Sequence, residues 1–254
     1  MSRTTESRLV EVWDTYIHWS KRAEGEAGFF AETLKRFCCK TVFDTSMGTG
    51  FDRISLTKAG FLVQGNEFDS FFRERAKQNI LKEGLTLEAI TGYDWRELSS
   101  RLNEQFDAVL CVGNSLCYLL EREEQLKALR EFFALLPKGG IAVVDHRNYE
   151  YMLTERKFIL ENPREHFRYS KKYYYCSDVI VGYPSLISPR KVNMEIFDVK
   201  TQMRCGIMPT YPFRKEELTQ LLYETGFERV ETYGDFKKDF NPNTVDFFQH
   251  VAIK

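Results

Sequence analysis

The residues best suited to chemistry in this chain are two glycines, Gly48 and Gly50, and the acidic Glu67 that follows them. The glycines come after a short apolar run and Asp44, and a glycine turn lets the backbone approach a bound ligand closely. Glu67 ends a second apolar run, where its carboxylate can accept hydrogen bonds from both hydroxyls of a ribose. The pattern predicts an adenosyl-binding strand–turn–helix–strand unit, in which Asp44 orients the loop or meets a ligand ammonium.

The residue at position 53 bears on the alternative that the glycine turn binds a dinucleotide. A dinucleotide-binding turn carries a third glycine that permits close packing beneath a pyrophosphate, and this chain has Arg53 at that place. A nicotinamide oxidoreductase is therefore disfavoured. An ordinary structural turn stays open as the alternative for Gly48 and Gly50.

Further polar residues follow the later strand-like runs. Asp94 can accept the adenine amino proton, and Trp95 can stack on the ring. Asn114 offers an amide that can donate to a carboxylate, and the lack of a proline beside it counts against a nucleobase substrate. Arg147 is costly to bury unpaired and can form a bidentate pair with a substrate carboxylate. The structural alternatives are caps for Asp94 and Asn114, a core position for Trp95 and a solvated charge for Arg147.

These residues need an alternating scaffold to position them. Strand-like and helix-like segments alternate from 41 to 145, which predicts a parallel sheet covered on both faces, with its ligand at the carboxyl ends of the strands. The expected fold class is α/β, with a doubly wound, seven-stranded, mostly parallel sheet. The predicted strands are 41–45, 61–66, 86–91, 107–112 and 141–145, and the predicted helices are 5–20, 26–37, 50–59, 69–83, 95–104, 122–135 and 214–225.

The last hundred residues depart from this alternation. Short alternating runs from about 151 to 212 predict an antiparallel β insertion that acts as a lid. The runs 227–233 and 245–253 predict a C-terminal antiparallel hairpin at the edge of the sheet. We expect one domain over 1–254, with an N-terminal helical cover over about 1–40.

Composition narrows the classes of partner. The 254 residues carry a net charge of −1, without the basic footprint of a nucleic-acid-binding protein. No stretch approaches the roughly 20 apolar residues of a membrane span, and the N-terminus has no signal-peptide core. The six cysteines form no Cys-x-x-Cys pair, which predicts free thiols in a reducing cytoplasm.

The chain resembles the glycine/sarcosine N-methyltransferase family, and its bacterial betaine-forming branch more than its animal branch. The similarity runs over nearly the whole sequence. It rests on the segments HWSKRAEGE (18–26), DTSMGTG (44–50), CVGNS (111–115), DHRNY (145–149), YYYCSD (173–178), TYGDF (232–236) and DFFQHV (246–251). The resemblance implies methyl transfer from S-adenosylmethionine to the amino nitrogen of glycine or sarcosine, with S-adenosylhomocysteine as the product and without a metal.

The resemblance also implies roles for single residues. Asn114 and Arg147 would hold the carboxylate of the acceptor, and Tyr175 and Tyr211 would lie by the sulfonium and the amine. The implied donor-binding residues are Tyr16, Trp19, Arg22, Asp44, Gly48, Gly50, Glu67, Asp94, Trp95 and Val112.

Two positions depart from the usual pattern of that family: Glu67 stands where aspartate is usual, and Met47 replaces a smaller residue. Other interpretations of the function stay open. The acceptor could be dimethylglycine or another small amino acid, and the protein could be a non-catalytic regulator that binds S-adenosylmethionine. The sequence does not predict the oligomeric state.

Overall fold

The computed structural model describes residues 3–87, 89–161, 175–176 and 179–254. Its strands, in chain order, are β1 (Thr41–Asp44), β2 (Leu62–Asn66), β3 (Ile90–Thr91), β4 (Ala108–Cys111), β5 (Ile141–Arg147), β6 (Tyr175–Cys176), β7 (Ile180–Ser188), β8 (Lys191–Asp198), β9 (Arg204–Thr210), β10 (Arg229–Gly234) and β11 (Phe247–Ile253). They form a seven-stranded sheet in the order β10-β11-β5-β4-β1-β2-β3 and a four-stranded sheet in the order β6-β7-β8-β9.

The seven-stranded sheet is parallel from β1 to β5. Strand β11 runs antiparallel to both β5 and β10, so the sheet ends in the expected hairpin. The sheet order and the mixed α/β architecture confirm the predicted fold class. The division into one domain with a helical cover stays a prediction.

Helices cover the sheet and follow the predicted alternation. They are α1 (Arg3–Ile17), α2 (Trp19–Glu26), α3 (Phe29–Arg36), α4 (Phe51–Lys58), α5 (Ser70–Lys82), α6 (Leu98–Arg101), α7 (Arg122–Ala134), α8 (Glu150–Thr154), α9 (Arg156–Glu161) and α10 (Glu217–Thr225). Local chemistry sets several ends. Asp69 caps α5 by accepting the N–H groups of Phe71 and Phe72, and Gly226 ends α10 in the left-handed region.

Three predicted segments differ in the structure. The predicted helix 5–20 is broken at His18, whose φ of 48° is left-handed, into α1 and α2. Strand β3 is only two residues long, although 86–91 was expected. The insertion does not begin as strands, because α8 and α9 precede the antiparallel sheet.

Alternate residues of the central strands are buried on opposite faces of the sheet, as expected for a sheet covered on both sides. In β1, Val42 packs with Ala108 and Val143 on one face, whereas Phe43 packs with Val109 and the helix α7 residues on the other. No helix among the described residues is both long enough and apolar enough to cross a bilayer.

Helix α1 packs against the four-stranded sheet, with Val12 in a cluster with Ile180, Ile196 and Cys205. The contact is close: a Cβ added to Gly206 would lie 3.1 Å from Leu9. Helix α1 is also tied to α5. The ring of Trp13 meets that of Phe72 edge-on at 5.0 Å, and Arg75 Nη2 donates to Asp14 at 2.7 Å.

Gly50 is required by its backbone conformation. Its φ is 98°, and it directly precedes α4. A Cβ there would meet only ordinary contacts with Ala76 at 3.6 Å. We therefore expect Gly50→Ala to lower the free energy of unfolding by about 1–2 kcal/mol through backbone strain alone, measured by urea denaturation.

Gly25 provides the matched control, because it lies within α2 and an added Cβ would meet nothing within 4 Å. Gly25→Ala should stabilise the protein by about 0.5–1 kcal/mol. Equal effects of the two substitutions would contradict the role of the turn.

Candidate active site

A cavity of about 500 Å³ lies at the carboxyl ends of β1 to β4, within the roughly 300–1,000 Å³ typical of small-molecule sites. Its lower walls come from residues that follow these strands: Ser46, Met47, Gly48, Thr49, Glu67, Phe68, Asp69, Asp94, Trp95, Val112, Gly113 and Ser115. Its roof comes from α1 and β9: Leu9, Trp13, Ile17, Gly206, Ile207, Met208 and Pro209. The predicted position of the ligand, at the strand ends, therefore coincides with a cavity.

Glu67 closes the glycine turn at this cavity. Its Oε2 accepts the N–H of Gly48 at 2.8 Å, and its Oε1 accepts the N–H of Asp69 at 2.9 Å. Burial raises the pKa of this carboxyl to about 7, against the lowering effect of the two N–H groups. Each oxygen keeps a further lone pair, because a carboxylate offers about four acceptor positions. Glu67 can thus hold the turn and accept a ligand's hydroxyls as well.

Arg22 enters the same cavity from α2 and is held by two carboxylates. Its Nε donates to Glu26 at 2.5 Å, and its Nη2 donates to both oxygens of Asp52 at 2.8 and 2.9 Å. Burial raises the pKa of Glu26 to about 7, although Arg22 opposes the shift. Among the described residues, Arg22 Nη1 has no protein hydrogen bond, which leaves it for a ligand's anionic group.

Asp44 lies fully buried below the turn. Its Oδ1 accepts the N–H of Ser46 at 3.1 Å, whereas its Oδ2 is buried without a hydrogen-bond partner in the described part of the chain. Burial raises the pKa of Asp44 well above its ordinary value, and Asp52 adds to the rise. More acids than cations therefore surround Arg22, an arrangement that favours a ligand bearing positive charge.

The Asp94–Trp95 pair lines the cavity and also makes hydrogen bonds within the protein. Trp95 Nε1 donates to the carbonyl of Thr45 at 2.7 Å, which fixes the plane of the indole. Asp94 caps a short 3₁₀ helix, since its Oδ1 accepts the N–H and Nε of Arg96 at 2.9 and 2.8 Å. Asp94 is thus a helix cap in the structure, and a contact with adenine would be a second role for it.

Asn114 and Arg147 are brought together at the ends of β4 and β5. The Oδ1 of Asn114 accepts the backbone N–H of Arg147 at 2.9 Å. Asn114 has a left-handed φ of 64°, and its own N–H donates to Asp145 at 2.7 Å. The Arg147 guanidinium lies over the ring of Phe247 at 4.9 Å. Both neighbours of Asn114 in sequence, Gly113 and Ser115, line the cavity.

Asn114 and Arg147 are not among the residues that line the cavity, and neither are several other predicted residues. Burial raises the pKa of Tyr16, and the charge of Arg147 opposes this rise. Trp19 lines a separate depression of about 340 Å³ beside Asp14, and its Nε1 is buried without a partner among the described residues. The Tyr211 hydroxyl donates to Glu217 at 2.6 Å instead of facing the cavity. Gly50 is the last residue of the glycine turn, and Asp44 precedes the turn and accepts the N–H of Ser46.

Tyr175 lies in β6, but its side chain is outside the described residues. Its predicted role, like those of Tyr16, Trp19 and Tyr211, stays a prediction.

Several residues that line the cavity, or that hold a residue lining it, were not found from the sequence. Glu26 follows Arg22 by four positions, a spacing typical of helical ion pairs, so a signal for it existed. No local signal singled out Asp52 or Tyr118. Trp13 lies in the predicted helical cover and Met208 in the predicted lid, but long-range packing decides which of their residues reach the cavity.

Comparisons with known proteins agree with this geometry. Residues 42–140 match the model of a methyltransferase domain. The chain is 34% identical over 97% of its length to a glycine/sarcosine N-methyltransferase of Aphanothece halophytica, of which it covers 88%. It is 32% identical to one of Halorhodospira halochloris, covering 97% of this chain and 87% of that protein. A solved S-adenosylmethionine-dependent methyltransferase from Clostridium acetobutylicum ATCC 824 has the same fold, with a TM-score of 0.74, 14% identity and 96% of both chains covered.

The raised pKa of Glu67 predicts a pH dependence of stability. A carboxyl whose pKa is higher in the folded than in the unfolded state binds its proton more tightly when folded. The free energy of unfolding should therefore fall as the pH rises from about 4.5 to about 7. In Glu67→Gln this contribution is absent, so the difference between the two proteins should change by about 1–3 kcal/mol across the window. Denaturant titrations at several pH values measure it.

Glu83 supplies the control, because it is an acid whose pKa Lys58 lowers. Glu83→Gln should leave the slope between pH 5 and 7 as in the unmodified protein. A Glu67→Gln slope equal to that of the unmodified protein would show that the pKa of Glu67 is the same in the folded and unfolded states.

Proposed function

The chain belongs to the glycine/sarcosine N-methyltransferase family, and on this premise we propose that it transfers a methyl group from S-adenosylmethionine to the amino nitrogen of glycine or sarcosine. The observation that carries the proposal is that the cavity lies next to the Asn114–Arg147 pair. The cavity has the features of a nucleoside site, and Gly113 and Ser115, which line it, flank the Asn114 that meets Arg147.

The residues of the cavity fit this donor. Its sulfonium and ammonium would offset the excess acid around Arg22, and its carboxylate would accept from Arg22 Nη1. Glu67 has lone pairs left for the ribose hydroxyls, and the indole of Trp95 offers a fixed face to the adenine. When bound, S-adenosylmethionine supplies an electrophilic methyl group on sulfur.

We assign the acceptor to the Asn114–Arg147 group. Arg147 would pair with the acceptor's carboxylate, and Asn114 would direct it, so that the neutral amine points toward the cavity. The new carbon–nitrogen bond would form as the carbon–sulfur bond breaks, S-adenosylhomocysteine would leave, and the extra proton on nitrogen would pass to water. Alignment of this kind can contribute roughly 7–11 kcal/mol to lowering a barrier.

The roof would exclude water from the reaction. Residues of α1 and β9 cover the cavity with apolar side chains, including Leu9, Ile17 and Met208. A dry site strengthens the electrostatic interactions that hold both substrates.

The proposal extends to organisation and location. We propose one methyltransferase domain over 1–254, supported by the packing of α1 on the insertion, and a place in the betaine-forming branch, supported by the segments that carry the resemblance. We also propose a cytoplasmic location, supported by the free thiols of Cys38, Cys39, Cys111, Cys117 and Cys205.

Mass-resolved product analysis tests the function. Purified protein is given S-adenosylmethionine with glycine, sarcosine or dimethylglycine in separate reactions. We expect methylated products from glycine, sarcosine or both. Products from dimethylglycine alone would assign a different acceptor, and donor binding without any product would favour a regulator.

Substitution of Arg147 should affect the acceptor alone. Loss of a charge-assisted bond of about 1.5–3 kcal/mol should raise the glycine KM about 10- to 100-fold in Arg147→Ala, with the donor Kd unchanged by calorimetry. Arg147→Lys should be intermediate, since a lysine cannot form the bidentate pair.

Glu67→Gln is the complementary variant and should weaken donor binding, with little change in the glycine KM at saturating donor. If Arg147→Ala kept the normal glycine KM, the arginine would not hold the acceptor.

A further inference from the structure

Tyr149 has no part in the donor or acceptor contacts above, yet it touches the acceptor group. It lies two residues after the end of β5, with only 2% of its surface exposed. Its hydroxyl accepts from Asn114 Nδ2 at 2.8 Å and donates to Thr210 Oγ1 at 3.0 Å. The hydroxyl of Thr210 in turn donates to the carbonyl of Val192 at 3.3 Å.

These bonds have one consistent direction. A hydroxyl has a single proton to donate, and the Val192 carbonyl can only accept. Thr210 must therefore accept from Tyr149, and Tyr149 must accept from the Asn114 amide. At the other end of that amide, Oδ1 accepts the N–H of Arg147 at 2.9 Å and the thiol of Cys117 at 3.1 Å. A flipped amide would place its NH₂ group against the N–H of Arg147, so both ends select the same orientation.

We propose that Tyr149 is a positioning residue that sets the orientation of the Asn114 amide and ties it to the roof. The inference rests on the proposed function of Asn114 in holding the acceptor. We call the chain Asn114–Tyr149–Thr210–Val192 the hydroxyl relay.

The relay connects the acceptor group with the insertion. Thr210 ends β9 and Val192 lies in β8, and the β9 residues 206–209 line the roof of the cavity. The orientation of the Asn114 amide therefore depends on β9 being in place. Acceptor binding is coupled in this way to closure of the roof, while the donor contacts of Glu67 and Arg22 are not part of the relay.

Tyr149→Phe isolates the hydroxyl from the ring, because the ring packs in the main hydrophobic core and remains in the variant. Removal of the hydroxyl leaves Asn114 Nδ2 without its acceptor and frees the amide to rotate. We expect the glycine KM, or the sarcosine KM if glycine is not used, to rise about tenfold, with the donor Kd within about twofold of the unmodified protein.

Two further variants complete the test. Thr210→Val keeps the shape but removes the acceptor of the Tyr149 proton, so a smaller rise in the same KM is expected. Tyr233→Phe is the matched control: Tyr233 is also a buried tyrosine, but its hydroxyl bonds Glu231 on β10, away from the cavity. It should leave both constants unchanged.

The side-chain amide resonance of Asn114 gives a readout that does not depend on activity. It is assigned by its loss in Asn114→Ala and should shift in Tyr149→Phe and Thr210→Val, but not in Tyr233→Phe. An unshifted resonance in the first two variants overturns the relay. So does an acceptor KM equal to that of the unmodified protein, or an equal loss of donor and acceptor binding.

The two proposals fail differently. An unmodified protein that methylates none of the three acceptors refutes the proposed function, and the resonance then decides whether the relay exists. If Tyr149→Phe does not fold, Thr210→Val decides the inference by the same two measurements.

Discussion

The burial of several carboxylates around the guanidinium of Arg22 is the constraint on which the site depends. Asp52 and Glu26 are both bonded to Arg22, while Asp44 keeps an unpaired oxygen below the glycine turn in the described structure. Burying unpaired charge is costly, and raised pKa values are one way in which a protein reduces the cost. Binding of a cationic ligand is a second way to reduce this cost. The binding energy of such a ligand and the stability of the fold therefore depend on the same residues.

The second requirement of the proposed reaction is that the donor and the acceptor meet while each is held by different residues. The loop after β4 achieves this through two consecutive left-handed residues, Gly113 and Asn114. Gly113 and Ser115 face the cavity, whereas the Asn114 side chain turns to Arg147 and Tyr149. Because Asp145 accepts the N–H of Asn114, a change in the loop would remove a hydrogen-bond donor from a buried carboxylate. One short loop thereby serves both halves of the proposed reaction.

Much of the fold could be predicted, because strand and helix periodicity in the sheet region is a local property. The glycine turn, Glu67 and the Asp94–Trp95 pair also lie at the cavity, since the ends of parallel strands share one edge. The break at His18 and the short helices α8 and α9 could not be predicted, as tertiary packing overrides local pattern there. The insertion was predicted as a lid, but no local signal singled out the β9 residues that line the cavity. Trp19 and Tyr211 were placed by resemblance; Trp19 lines a separate depression and the Tyr211 hydroxyl donates to Glu217, and their predicted roles stay predictions.

The joining of α1 to the insertion has a practical consequence for the intact protein. Residues nearly two hundred positions apart in sequence, such as Leu9 and Gly206, are packed directly against each other. Proteolytic removal of α1 would spare every hydrogen bond within the seven-stranded sheet, since none of its strands includes those residues. The truncated product would lose the helical signal of α1 and leave its cavity open to solvent, so an intact sheet does not by itself show that the site is complete.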